Sequence, residues 1–280
     1  MPAMPNATRV FRAGAIAGTV LSLAAAHVAA AQADLASQGA PLARRVAAAP
    51  DGTVRLTYAL RPDVCGSGNS IRVRGSRGVT TWNDDGRRSR DVDWDVDCES
   101  GPVRIVLDVR GGQVQSLDHY VGGRWRQRDG VTDLGAVPAA QAAGYLLTLA
   151  EQGRGKVSRE SIFPATLADS VTTWPVLLRL ARTSSLDHET RSQAVFWLGN
   201  AAGDAATKGL TELADDGDKE VRNQAVFALS RRPADEGVPI LIRIARTHRD
   251  PEVRRNALFW LGRSEDPRAL ALFEELLTKR

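Results

Sequence analysis

"RNQAVFALSR", residues 222–231, reads in isolation as a single apolar helix, yet the chain contains two close relatives of it. "RSQAVFWLGN" occupies 191–200 and "RRNALFWLGR" occupies 254–263. Four positions are unchanged through the copies: Arg191, Arg222 and Arg254; Ala194, Ala225 and Ala257; Phe196, Phe227 and Phe259; Leu198, Leu229 and Leu261. Successive copies lie 31 and 32 residues apart. An aspartate stands four residues before each arginine, at Asp187, Asp218 and Asp250, and a second row, Asp204, Asp235 and Asp266, lies six residues before Leu210, Leu241 and Leu272. The intervening segment recurs as well, "WPVLLRLART" from Trp174 matching "VPILIRIART" from Val238. Paired helical segments at a fixed period of roughly 20–50 residues mark an α-solenoid.

The repetition has a physical reason. Ordering a helix costs roughly 1–2 kcal/mol of backbone entropy per residue, while each stripe residue returns roughly 1.5–3 kcal/mol when buried. One hairpin therefore does not stay folded alone, and stacking lets each copy bury both of its faces.

The pattern resembles the HEAT-like repeat family, above all its short, phycobilisome-lyase-type form with a V-R-x-x-A-x-x-A-L-G core. "VRNQAVFALS" from Val221 and "VRRNALFWLG" from Val253 match closely, while Thr190 replaces the valine of the first copy and Trp197 and Trp260 replace the second alanine. The resemblance covers about residues 170–280, with weaker material back to about 137. It implies a scaffold or binding surface, and an ion-pair ladder between repeats built by Asp187, Arg191, Asp218, Arg222, Asp250 and Arg254. Read from position alone, both aspartate rows precede helices and suit N-caps, whose side chains accept orphan backbone donors.

Upstream the period is two. "TVRLTYAL" places Val54, Leu56, Tyr58 and Leu60 on one face, "DVDWDVDC" does so with Val92, Trp94, Val96 and Cys98, and "VRIVLDV" with Val103, Ile105, Leu107 and Val109. Such alternation marks half-buried strands, and Gly111-Gly112 signals a hairpin. The expected organisation is α+β by domain: a small antiparallel β domain over 51–130, then an α-solenoid of HEAT-like hairpins over 137–280. Residues 34–50, "DLASQGAPLARRVAAAP", show no clear period and read as a linker.

Residues 1–33 carry Arg9 and Arg12, no acid, and a weakly apolar run ending in small residues. This reads as a signal peptide cleaved near Ala31 or Ala33, placing the mature chain in the periplasm or outside a bacterial-type cell with no stable membrane insertion. Cleavage would lower the formal net charge from +4 to +2. No concentrated basic stripe supports nucleic-acid binding. In an oxidising compartment Cys65 and Cys98 are expected to form a disulfide, worth roughly 3–4 kcal/mol by loop closure.

On the repeated helix Phe227 falls roughly 140° from the centre of the apolar stripe, on the side that also carries Gln224, and repetition generates the rows Gln193 and Phe196, Gln224 and Phe227, and Asn256 and Phe259. They are the candidate protein-binding groove, since aromatics flanked by amides make adaptable contacts. The competing and preferred reading packs each phenylalanine between neighbouring repeats. Trp197 and Trp260 read as core filler. No catalytic or metal set emerges and no cofactor is expected: His188-Glu189 aligns with Lys219-Glu220 and Pro251-Glu252, so the di-iron His-Glu series of some HEAT-repeat enzymes is missing. Asp91, Asp93, Asp95 and Asp97 lack the EF-hand glycine and glutamate and read as the wet face of a strand. The expected function is thus non-catalytic protein binding or scaffolding by a monomer. Two alternatives stay open: an enzyme with its site in the β domain and the solenoid as docking platform, and a ligand- or carbohydrate-sensing β module presenting Trp82, Trp94 and Trp125.

Overall fold

The computed structural model describes residues 34–75, 78–83, 92–93, 98–201 and 203–278, with side chains outside 75–97. Among the described residues, nine strands lie between 52 and 136: β1 (Gly52–Tyr58), β2 (Val64–Ser67), β3 (Ser70–Gly75), β4 (Gly78–Asn83), β5 (Val92–Asp93), β6 (Val103–Arg110), β7 (Gln113–Val121), β8 (Arg124–Trp125) and β9 (Val131–Ala136). The main sheet has the order β7-β6-β1-β9, beside a β2-β3-β4 sheet and a β5-β8 pair. β1, β6 and β7 are antiparallel neighbours, whereas β9 runs parallel to β1. The sheet is therefore mixed and reaches Ala136, beyond the expected boundary at 130. Val137 continues the edge, its N–H donating to the Thr57 carbonyl at 2.8 Å.

Alternation decides which face is inside. Val54, Leu56 and Tyr58 of β1 and Val103, Ile105, Leu107 and Val109 of β6 are all buried against the helices. Val106 and Tyr120, on the opposite face, form a small second cluster with Trp125. Gly111 and Gly112 turn β6 into β7 with φ of 56° and 71°, a region glycine enters without steric cost. Cys65 on β2 is disulfide-bonded to Cys98, 33 residues away.

The segment read as a linker is instead helix α1, residues 34–47. Leu35, Leu42 and Val46 lie along one side of it and are buried in the core. Its period was hidden because only three large apolar residues mark the stripe among alanines and glycine. α1 crosses α2 (Ala139–Gln152) in near backbone contact, for a Cβ on Gly39 would come within 2.4 Å of the Gly144 carbonyl carbon.

Two short helices, α3 (Lys156–Glu160) and α4 (Ile162–Thr166), lead into three helical hairpins. These are α5 (Trp174–Arg182) with α6 (His188–Gly199), α7 (Asp204–Leu213) with α8 (Lys219–Ser230), and α9 (Ala234–Thr247) with α10 (Pro251–Gly262); α11 (Pro267–Thr278) follows. α6, α8 and α10 stack in one layer, and α5, α7, α9 and α11 in the other. One hydrophobic cluster runs from Leu35 through the sheet to Leu272. The buried Tyr58 hydroxyl donates to the Pro164 carbonyl at 2.6 Å, and Asp169 N–H donates to Ala59 at 3.0 Å. Burial pushes the Tyr58 phenol well above its ordinary pKa. The change of sequence period at 137 is thus not a break in the core.

Candidate functional site

The layer of α6, α8 and α10 is set by its joints. Asp187, Asp218 and Asp250 cap these helices, accepting from the backbone N–H of Thr190, Glu220 and Glu252 respectively. The Glu252 N–H bond, with Arg222 nearby, holds the Asp250 carboxyl below its ordinary pKa. The first two repeat arginines reach forward to the following repeat: Arg191 lies 2.8 Å from Asp216 and 3.3 Å from Asp218, and Arg222 lies 3.3 Å from Asp250. Arg254 donates to the His248 carbonyl at 2.7 Å, and no carboxylate pairs with it among the described residues.

The second aspartate row departs from expectation. Asp266 accepts from Arg268 N–H at 2.9 Å, and hydrogen bonds from the Arg268 side chain and backbone lower its pKa to about 2. Asp204 and Asp235 do not cap: Gly203 and Pro233 hold the N-cap positions of α7 and α9. Each helix begins early enough to draw its aspartate into the first turn, where the acid still faces the positive helix end.

Across these joints runs a continuous row of rings. His119 of β7 meets Phe163 edge-on at 5.2 Å, and Phe163 stacks on Trp197 at 4.3 Å. Phe196 touches Trp197 at 5.0 Å and stacks on Phe227 at 6.0 Å. Phe227 meets Trp260 at 4.8 Å, and Trp260 meets Phe259 at 5.1 Å. The two readings of the phenylalanine row merge here. Phe196 and Phe227 pack between repeats yet remain half-buried, and Phe259 is 56% exposed. Trp197 is core, but Trp260 is only half-buried and walls an open groove. Burial differs because Trp197 is covered by Phe163 while Trp260 lies nearer the end of the stack.

That groove, about 570 Å³, lies between α8 and α10 and is lined by Gln224, Phe227, Asn256, Trp260 and flanking polar residues. Asn256 donates to the Asn223 side-chain oxygen at 3.3 Å, so the amides of adjacent repeats are already cross-linked. At its rim Lys219 pairs with Glu252 at 2.8 Å, and that hydrogen bond raises the lysine pKa. Gln193 occupies the equivalent half-buried position on α6. Three of the six sequence candidates, Gln224, Phe227 and Asn256, therefore come together at one groove, with Phe196 stacked behind Phe227 and Phe259 beyond Trp260. Sequence reasoning missed Phe163, His119 and the groove role of Trp260. Trp260 carried a signal, standing at a position that is alanine in the middle repeat.

Elsewhere, Glu189 pairs with Arg159 and leaves His188 exposed beside it. Trp125 has the guanidinium groups of Arg55 and Arg104 each 5.0 Å from its ring. Burial lowers the Arg104 pKa, which Glu99 partly offsets. The side chains of Trp82, Trp94 and the aspartates at 91, 93, 95 and 97 lie outside the described residues. Among the described residues no helix is long and apolar enough to cross a membrane.

Two overlapping stretches, 174–246 and 207–280, match the family model for HEAT repeats. No curated protein matches this chain. Two engineered proteins of known crystal structure are similar to part of it. One is 19% identical with a TM-score of 0.30, the match covering 51% of this chain and 47% of that one. The other is 21% identical with a TM-score of 0.25, covering 50% of this chain and 64% of that one. The chain thus spans about half to two thirds of their length. With the family match, the recurring caps and the forward-reaching arginines on the same residues, the carboxy-terminal helices over 174–280 are HEAT repeats.

Proposed function

We propose that this protein is an exported, non-catalytic scaffold that binds another protein along the aromatic and amide row of α6, α8 and α10. One observation carries the reading: rings from three successive repeats form an unbroken path, flanked by side-chain amides and opening into a groove at Phe227 and Trp260. Half-buried aromatics held rigid by their neighbours lose little entropy on contact, the property that makes such residues binding anchors. The amides add adaptable donors and acceptors beside them.

Export is part of the same proposal. Its support is the basic, then weakly apolar, then small-residue order of positions 1–33 and the Cys65–Cys98 disulfide, a bond that persists in oxidising compartments. The test compares affinity capture by the mature chain with capture by a variant carrying Phe196→Ala, Phe227→Ala and Phe259→Ala, both from envelope extract. Selective loss of a binder by the variant is expected. Equal recovery of every binder by both forms would remove the row as the contact surface.

A further inference from the structure

The groove between α8 and α10 is graded along its length. Glu220 and Glu252, in the first turns of the two helices, line one end, and Phe227 and Trp260 line the other. Glu252 is taken by Lys219, whereas the exposed Glu220 carboxylate forms no ion pair among the described residues. Two carboxylates against one lysine leave this end net negative. The middle is rich in donors. Asn256 donates to Asn223 Oδ1 at 3.3 Å, which leaves the Asn223 amide nitrogen and the exposed Arg255 guanidinium as donors at the groove wall. A helix satisfies its own backbone and has little use for such groups, but an extended chain needs partners for its carbonyls. Spacing decides which extended form fits. Glu220 and Phe227 are seven residues apart on α8, about 10 Å along the axis at the usual helical rise. A β-strand places same-side residues about 6.7 Å and then about 13 Å apart, and misses that interval. A polyproline II helix brings every third residue to the same side about 9 Å apart, with no internal hydrogen bonds to occupy its carbonyls.

We propose that this groove binds a proline-rich segment of another protein in the polyproline II conformation, with a lysine or arginine seated at Glu220 and a proline three residues away stacked on Trp260 and Phe227. The proposal rests on the reading of the row as a protein-binding surface, and it names the chemistry of the partner. Proline rings dock on aromatic side chains, and a chain already held in this conformation gives up little entropy on binding. Charge selects a basic residue over an acidic one at the Glu220 end. Arg255, midway along the groove, then serves as a donor to the carbonyls of the segment.

The probe is a short fluorescein-labelled proline-rich peptide whose single arginine has a proline three residues to either side, read by fluorescence anisotropy against the full chain. Saturable binding is expected. Trp260→Ala should weaken it about tenfold, as loss of an aromatic anchor does. Glu220→Gln should weaken it about threefold, the scale of an exposed charge pair, and that difference should fade at high salt. A peptide with glutamine in place of arginine should bind the wild-type and Glu220→Gln chains equally. Thermal melts report whether the Trp260→Ala chain is folded, and Glu220, exposed and unpaired, can be replaced without disturbing the fold. No saturable binding overturns the proposal, as does equal binding of a peptide with alanine at both proline positions. So does tighter binding of a peptide with glutamate in place of arginine, which would give the groove to Arg255. If any of these results accompanies selective loss of an envelope binder by the phenylalanine variant, the polyproline ligand alone is rejected; equal recovery in that capture removes the row itself.

Discussion

At the scale of single residues, the repeat arginines illustrate how one side chain does several structural jobs at once. Arg191 is 6% exposed, donates to the Ala181 carbonyl at 2.8 Å, and holds both Asp216 and Asp218. Arg222 repeats the pattern with Asp250 at a more open position. Because its acids are themselves mostly covered, replacing Arg191 by methionine should leave carboxylates poorly solvated and cost about 2–3 kcal/mol, below the full figure for a buried pair because Asp218 keeps some water. Arg254→Met, lacking any carboxylate partner, should cost under about 1 kcal/mol, as solvent-exposed polar contacts do. Urea unfolding of the two variants measures the contrast, and equal losses would refute the forward-reaching joint. The sequence displayed these arginines through invariance across copies, but not the participation of Asp216, which repeats at neither of the other joints.

At the scale of elements, α1 is the clearest departure from the sequence reading. Leu35, Leu42 and Val46 fall on one side of a helix at spacings of seven and four, but alanine, glycine and the exposed Arg44 and Arg45 between them blur the period. What makes the segment a helix is its docking on α2 and the sheet, where Gly39 and Gly144 permit backbone approach. Gly144→Val should force the pair apart: a Cβ there would lie 2.1 Å from the Leu35 carbonyl oxygen. A loss of about 2–3 kcal/mol is expected from such overpacking, with the 34–47 segment becoming susceptible to limited proteolysis before the rest. Wild-type resistance in the variant would contradict the crossing. The strands were more legible, since β1 and β6 are long enough for alternation to stand out. The parallel edge strand β9 was not, because "VTDLGA" is short and half polar.

At the scale of the whole molecule, stability should fall along the stack. α5 buries six residues including Leu177 and Leu180 at full depth, whereas α11 buries only Ala269 and Leu272. A solenoid repeat draws its stability from its neighbours, so amide hydrogen exchange should be slowest through the sheet, α2 and α5, and fastest in α11, with α9 between. Uniform protection across all the helices would show instead that the chain unfolds only as one unit. What the sequence determined by itself was whatever repeats or alternates, together with two lone cysteines: the solenoid, the aspartate caps of α6, α8 and α10, the recurrence of the phenylalanine row, the inward faces of β1 and β6, and the Cys65–Cys98 pairing. These are local periodicities, and each is enforced several times over. Only the tertiary structure decided that α1 is a helix, that the sheet and the repeats share one core through Tyr58 and Pro164, and that rings from β7, α4 and three repeats join into a single row. Those features depend on contacts between segments tens of residues apart, where a small residue, a carbonyl or a lone aromatic is enough, and no local pattern marks them in advance.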